Sequence, residues 1–106
     1  MHVEIDVYSG RPNPQFDLSE PFSAELGHML RDLPLANRTE PQPGLGYRGF
    51  VVTAETAAAL PVKLRVFDGL IIIDDGQQVK VYLDRDGVES RLKRYARQAG
   101  YGALVN

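Results

Sequence analysis

The sequence predicts an α+β fold: a two-layer sandwich in which a mostly antiparallel sheet of about five strands carries two main helices on one face. Three features lead there. Apolar–polar alternation and short β-branched runs recur along the chain, two longer segments each carry one apolar stripe at helical spacing, and the last three strands are joined only by turn-length connections. The predicted order is β-α-β-(short α)-β-β-β-α.

Residues 2–8 form the first predicted strand, with Val3, Ile5 and Val7 on one face and Glu4, Asp6 and Tyr8 on the other. Ser9-Gly10-Arg11-Pro12-Asn13-Pro14 ends it. Its two prolines cannot donate to a ladder, and each restricts the residue before it, so this is a stiff loop. Ser19 is then a helix N-cap, with Glu20 and Pro21 in the first turn and Phe22, Leu26, Met29, Leu30 and Leu33 along one stripe. Pro34 ends that helix and opens a Pro/Gly-rich connection over 34–46, long enough to suggest a functional or mobile loop.

Tyr47 to Val52 is the second predicted strand, and a short Ala-rich helix follows from Thr53 to Pro61. Lys63–Phe67, Leu70–Ile73 and Val79–Leu83 make a meander through Asp68-Gly69 and Asp74-Asp75-Gly76-Gln77. Asp86-Gly87-Val88-Glu89 reads as a capping box for the last helix, whose stripe is Val88, Leu92, Tyr95 and Ala99, with Gly100 as its stop. Packing both helices on one side leaves the other sheet face mixed: Glu4, Asp6 and Tyr8, then Lys63 and Arg65, then Lys80 and Tyr82. Cross-strand charge pairing accounts for most of that pattern, and the face is also a potential partner surface.

The 106 residues fit a single domain spanning 1–106. Apolar residues make up 43% of the chain and charged ones 25%, as in an ordinary globular protein. Without cysteine, disulfides, zinc thiolates, iron–sulfur clusters and thiol nucleophiles are excluded. The start of the chain alternates apolar and charged residues, unlike a signal peptide, and no apolar run approaches the roughly 18–20 residues of a membrane span. The expected location is cytoplasmic, with no membrane partner. A net charge of −2 gives no general push toward nucleic acid. The basic face of the last helix (Lys93, Arg94, Arg97) complements the helix dipole and reads as a solvated face, so no nucleic-acid partner is expected.

Gly44-Leu45-Gly46-Tyr47-Arg48-Gly49 matches the G-x-G-x-x-G spacing of dinucleotide loops, but a proline-rich loop precedes it and a strand follows. The chemistry of that motif needs the reverse, a strand before and a helix N-terminus after. Asp84-Arg85-Asp86-Gly87 is only a fragment of a calcium loop. His2 and His28 lack the i, i+4 partner of a helical metal site, and no serine sits in a nucleophile motif. No catalytic residue, metal ligand or cofactor is therefore predicted.

The residues that stand out are Arg11 and Asn13 in the stiff loop and Tyr47 and Arg48 in the glycine-flanked segment. A guanidinium offers a planar fork suited to carboxylate or phosphate, and a stiff loop has little entropy left to lose on binding. The expectation is a non-enzymatic binding or accessory module that recognises an anionic small ligand or acidic peptide through these loops. The structural alternative is that the arginines cap loop carbonyls or pair with Asp6, Asp17 or Glu40. An antitoxin- or immunity-like interaction domain and a small enzyme of unknown chemistry are the rival readings, and a homodimer through an exposed edge strand is possible.

Overall fold

The computed structural model describes residues 1–37, 46–54 and 62–105. It has six strands and two helices: β1 (His2–Ile5), β2 (Gln15–Asp17), α1 (Glu20–Met29), β3 (Phe50–Ala54), β4 (Val62–Phe67), β5 (Leu70–Asp74), β6 (Val79–Leu83) and α2 (Val88–Gln98), closed by a 3-10 turn at Gly102–Leu104. The strands form one antiparallel sheet in the order β2-β1-β3-β4-β5-β6. The α+β architecture is thus the expected one, with a sixth strand. That strand, β2, pairs with β1 through His2↔Asp17, Val3↔Phe16 and Glu4↔Gln15.

The core lies between the sheet and the helices. Val3, Ile5, Phe50, Val52, Leu64, Val66 and Ile71 face Leu26, Val88, Leu92, Tyr95 and Ala96, with Val105 completing the cluster. The α2 stripe closes on Ala96, which is buried, whereas Ala99 is exposed. Leu26 is the buried residue of α1, while Phe22, Met29, Leu30 and Leu33 are partly covered. Polar contacts help hold α1: Phe22 stacks on Tyr95, and the Glu25 carboxylate accepts from Arg91 at 2.6 Å and from the Tyr95 hydroxyl. The Tyr95 hydrogen bond, followed by the charge of Arg91, holds the Glu25 carboxyl below its ordinary range.

Several local expectations change. The regular part of β1 ends at Ile5, and β3 starts at Phe50 and runs through Thr53 and Ala54, which the sequence had suggested as a helix start. The remainder of that short helix lies outside the described residues. The helix α1 ends at Met29, before Pro34. Pro34–Ala36 instead covers part of the β6 edge: Leu83 N–H donates to the Pro34 carbonyl at 2.9 Å and Ala36 N–H to the Val81 carbonyl at 3.0 Å.

The capping box is also replaced. Gly87 turns left-handed (φ 77°) at the N-cap, and Asp84 reaches forward to accept from the Val88 and Glu89 N–H groups at 2.6 and 3.0 Å. Asp86 pairs with Arg85. Two orphan donors of the helix start are satisfied either way, but by a residue two positions earlier.

Finally, β6 shows the opposite face from the one expected. Ile71, a core residue, sits directly across from Tyr82, so Tyr82 and Lys80 share the helix side and Tyr82 packs on the core. Val79, Val81 and Leu83 are left on the outer face. There Val79 is 61% and Leu83 39% exposed.

Candidate functional site

The first strand leaves the ladder through the 9–14 loop, and that loop is held by specific bonds. Ile5 N–H donates to the Pro14 carbonyl at 2.9 Å. The Asn13 side-chain oxygen accepts from both Val7 N–H at 3.1 Å and Tyr8 N–H at 2.8 Å, and its amide nitrogen donates to Glu4 at 3.1 Å. Asn13 therefore closes the loop as an internal turn former, its oxygen accepting twice and its amide nitrogen donating once within the chain.

Arg48 supports the same loop from the neighbouring strand. Its guanidinium donates to Asp6 Oδ1 and to the Tyr8 carbonyl, both at 2.9 Å, and its side chain is only 17% exposed. Arg65 of β4 approaches the other Asp6 oxygen at 3.7 Å. Among the described residues, Arg48 makes the pairing with Asp6 and a bond to a loop carbonyl, both expected from sequence. Glu40 lies outside the described residues.

How Arg48 reaches this face is a matter of backbone geometry. Phe50 points into the core, so strict alternation would place Arg48 on the core side as well. The left-handed conformation of Gly49 (φ 92°) breaks the alternation. Arg48 lands beside Asp6 on the outer face, while Tyr47 packs against the core edge with its hydroxyl 2.6 Å from Glu89 of α2. Tyr47 meets Phe50 and Phe67 edge-to-face, and Lys93 sits 5.0 Å from its ring centre. Burial, reinforced by the Glu89 carboxylate, pushes its hydroxyl far above the ordinary tyrosine range. Tyr47 is thus a clamp between sheet and α2, separate from the loop site.

What remains is Arg11. It is exposed, and its guanidinium carbon lies 3.8 Å from the centre of the Tyr8 ring. Among the described residues it makes no ion pair. Of the four residues singled out by sequence, three meet around the 9–14 loop (Arg11, Asn13, Arg48). Tyr8 is the functional neighbour that sequence reasoning placed only as a sheet-face residue. Its aromatic type three positions before an arginine in a proline-fixed loop was the signal available.

The other titratable cluster of this region lies on β1 and β2. His2 Nδ1 is 2.8 Å from Asp17 and Nε2 is 2.7 Å from the Gln15 side-chain oxygen, while Gln15 uses its amide nitrogen on Glu4 at 3.4 Å. Acceptors at both ring nitrogens favour the imidazolium, so the pKa is raised above 6.5, chiefly by Asp17 and then by Gln15. A raised folded-state value contributes stability that is fully present below the unfolded value and lost as pH rises through the folded one. Wild type should accordingly melt above His2→Gln at about pH 5, with the gap closing toward about pH 9. A gap that stays constant across that range would show that the imidazolium contributes nothing.

Among the described residues no cluster of three or more His, Asp or Glu side chains is arranged to hold a metal ion, and no helix is long and apolar enough to cross a membrane. Comparison with known proteins returned no matching family model, no matching curated sequence and no matching solved structure.

Proposed function

We infer that the chain is a non-enzymatic binding module that takes an anionic group, a carboxylate or a phosphate, on the Arg11 guanidinium. The observation that carries this reading is the state of Arg11: an exposed guanidinium held 3.8 Å over the Tyr8 ring, on a loop already fixed by Asn13 and Arg48. Stacking restrains the side chain without using its hydrogen-bond donors, so little entropy is lost when an anion docks. The nearby carboxylates have other partners, Glu4 being held by Asn13 and Gln15 and Asp6 by Arg48 and Arg65. Binding, with no proton transfer, is the role this arrangement favours.

The test is a thermal-shift screen against inorganic phosphate, nucleotides, citrate and an oligoglutamate peptide. A ligand present at a hundred times its dissociation constant adds about 2.7 kcal/mol of stability. The expected result is a shift in wild type that disappears in Arg11→Ala and weakens in Arg11→Lys, while unliganded Arg11→Ala melts within about 4 °C of wild type, as surface substitutions do. Silence against every anion would sink the reading. It would favour instead a protein partner for the outer sheet face, where Val79 and Leu83 stand exposed.

A further inference from the structure

We propose that β2 is a docking edge for an extended peptide, which adds a seventh strand and places one apolar side chain in the cleft beneath it. The inference rests on β2 and that cleft, and it is independent of the anion reading for Arg11.

The first argument is the hydrogen-bonding pattern of the edge. β2 is the terminal strand of the sheet. Leu18 N–H donates to the Met1 carbonyl and Ile5 N–H to the Pro14 carbonyl, each at 2.9 Å. Since inward and outward groups alternate in an antiparallel pair, Pro14, Phe16 and Leu18 turn their main-chain groups toward β1. The N–H and C=O groups of Gln15 and Asp17 therefore point away from the sheet. Among the described residues none of these four groups is taken by a side chain or by another strand. Edges are often blunted by proline. Here Pro14 faces inward, so its missing N–H is subtracted from the β1 side and leaves the outer edge intact.

The second argument is what lies under that edge. A cavity of about 220 Å³ is lined by Phe16, Leu18, Phe22, Tyr95 and Ala99, with Asp17, Ser19 and Gln98 as its polar part. Phe16 points to the helix side, whereas Gln15 and Asp17 are on the outer face. Residues directly opposite one another share a face. A peptide residue across from Phe16 would send its side chain into this cleft. Main-chain bonds would then supply affinity and the cleft specificity, as in other strand-addition complexes.

Charge names the rest of the partner. Asp17 is 84% exposed and, among the described residues, carries only His2 on one oxygen. A lysine or arginine across from it is favoured, and an acid is disfavoured. In an antiparallel addition the basic residue precedes the apolar one, so the recognised sequence is basic–aliphatic–polar. A second copy of the chain fits poorly, because the Phe16 that it would offer stacks on its own Tyr101 at 6.1 Å.

The experiment is an NMR titration of the intact protein with the blocked peptide acetyl-Thr-Lys-Leu-Thr-Val-amide. The amides of Gln15 and Asp17 should shift, and at ten times the dissociation constant their exchange should slow about elevenfold. Methylating the main-chain nitrogen of the peptide lysine, exchanging leucine for aspartate, or exchanging lysine for glutamate should each weaken binding at least about tenfold. Ala99→Leu, at an exposed position, should block the cleft without changing the rest of the spectrum. Arg11→Ala should bind the peptide normally, which separates this result from the anion screen. Equal binding of the N-methyl peptide, shifts confined to other strands, or no response at millimolar peptide would overturn the proposal. So would slowed Gln15 and Asp17 exchange without peptide that tracks concentration-dependent dimerisation.

Discussion

Gly49→Ala should destabilise the fold by about 4 kcal/mol, the largest single-methyl effect expected in the molecule. Two independent costs combine. The backbone at Gly49 has φ 92°, a conformation that an L side chain rarely adopts. An added Cβ would also stand 2.2 Å from the Val66 carbonyl oxygen and 2.6 Å from the Phe67 Cβ. Those obstacles are backbone and a strand side-chain root, which cannot rotate out of the way. Relief requires β3 and β4 to separate where Phe50 pairs with Val66. Because Gly49 is also where the side-chain alternation breaks, the substitution should release Arg48 from Asp6 and Tyr8. Urea unfolding measures the first effect and the Tyr8 and Asn13 amide shifts the second. As an internal control, Gly76→Ala has open space for its Cβ and carries only the positive-φ cost. Equal losses for the two glycines would show that the close β3–β4 approach is not what Gly49 serves.

The fold was legible where a periodic signal runs long enough to fix both element and face. The α2 stripe from Val88 to Tyr95 and strand β4, where Lys63 and Arg65 lie on the face opposite the core residues Leu64 and Val66, are such cases. It was illegible where the element is too short to show a period. In β2 the alternation Gln15-Phe16-Asp17 spans three residues between a proline and a helix cap, and it became a strand because β1 offers it a ladder. The face of β6 failed for a related reason. In Val79-Lys80-Val81-Tyr82-Leu83 both faces carry apolar residues, so alternation alone cannot tell the core side, and the register against Ile71 decides it. The helix cap was misassigned because Asp84 and Asp86 are both acids within reach of one helix start. The left-handed turn at Gly87 selects the earlier one.

The candidate site was legible as residue types and illegible as roles. Arginine in a proline-fixed loop marked a segment that Asn13 and Arg48 hold in place. Which arginine is exposed depends on the face each reaches, and Gly49 reverses that face for Arg48. Sequence spacing carries no trace of the reversal. The same reversal sends Tyr47 to Glu89 on α2 and away from the loop it was expected to share. Asn13 was expected to contact a ligand, yet its amide oxygen already accepts two N–H groups. Such double acceptance is a property of the closed loop.

The division of labour between the arginines can be measured through Asp6. Asp6→Ala should cost about 2 kcal/mol: the pair is mostly buried, so removing its acid leaves a poorly solvated guanidinium, while the residual exposure keeps the loss below that of a fully buried pair. The Tyr8 carbonyl still accepts from Arg48 in that variant, which sets a floor. Arg48→Met should cost less, about 1 kcal/mol, because Asp6 keeps Arg65 at 3.7 Å and the methionine stem fills the vacated space. The double variant should lose less than the sum, with a coupling of about 1 kcal/mol. Both variants should loosen the 9–14 loop and therefore weaken anion binding at Arg11 without removing it, whereas Arg11→Ala should remove binding and leave stability alone. If Asp6→Ala proved neutral and anion affinity rose, Arg48 would be a ligand-binding cation held in reserve by Asp6. The support role assigned to it here would then be wrong, and the site would contain two guanidinium groups.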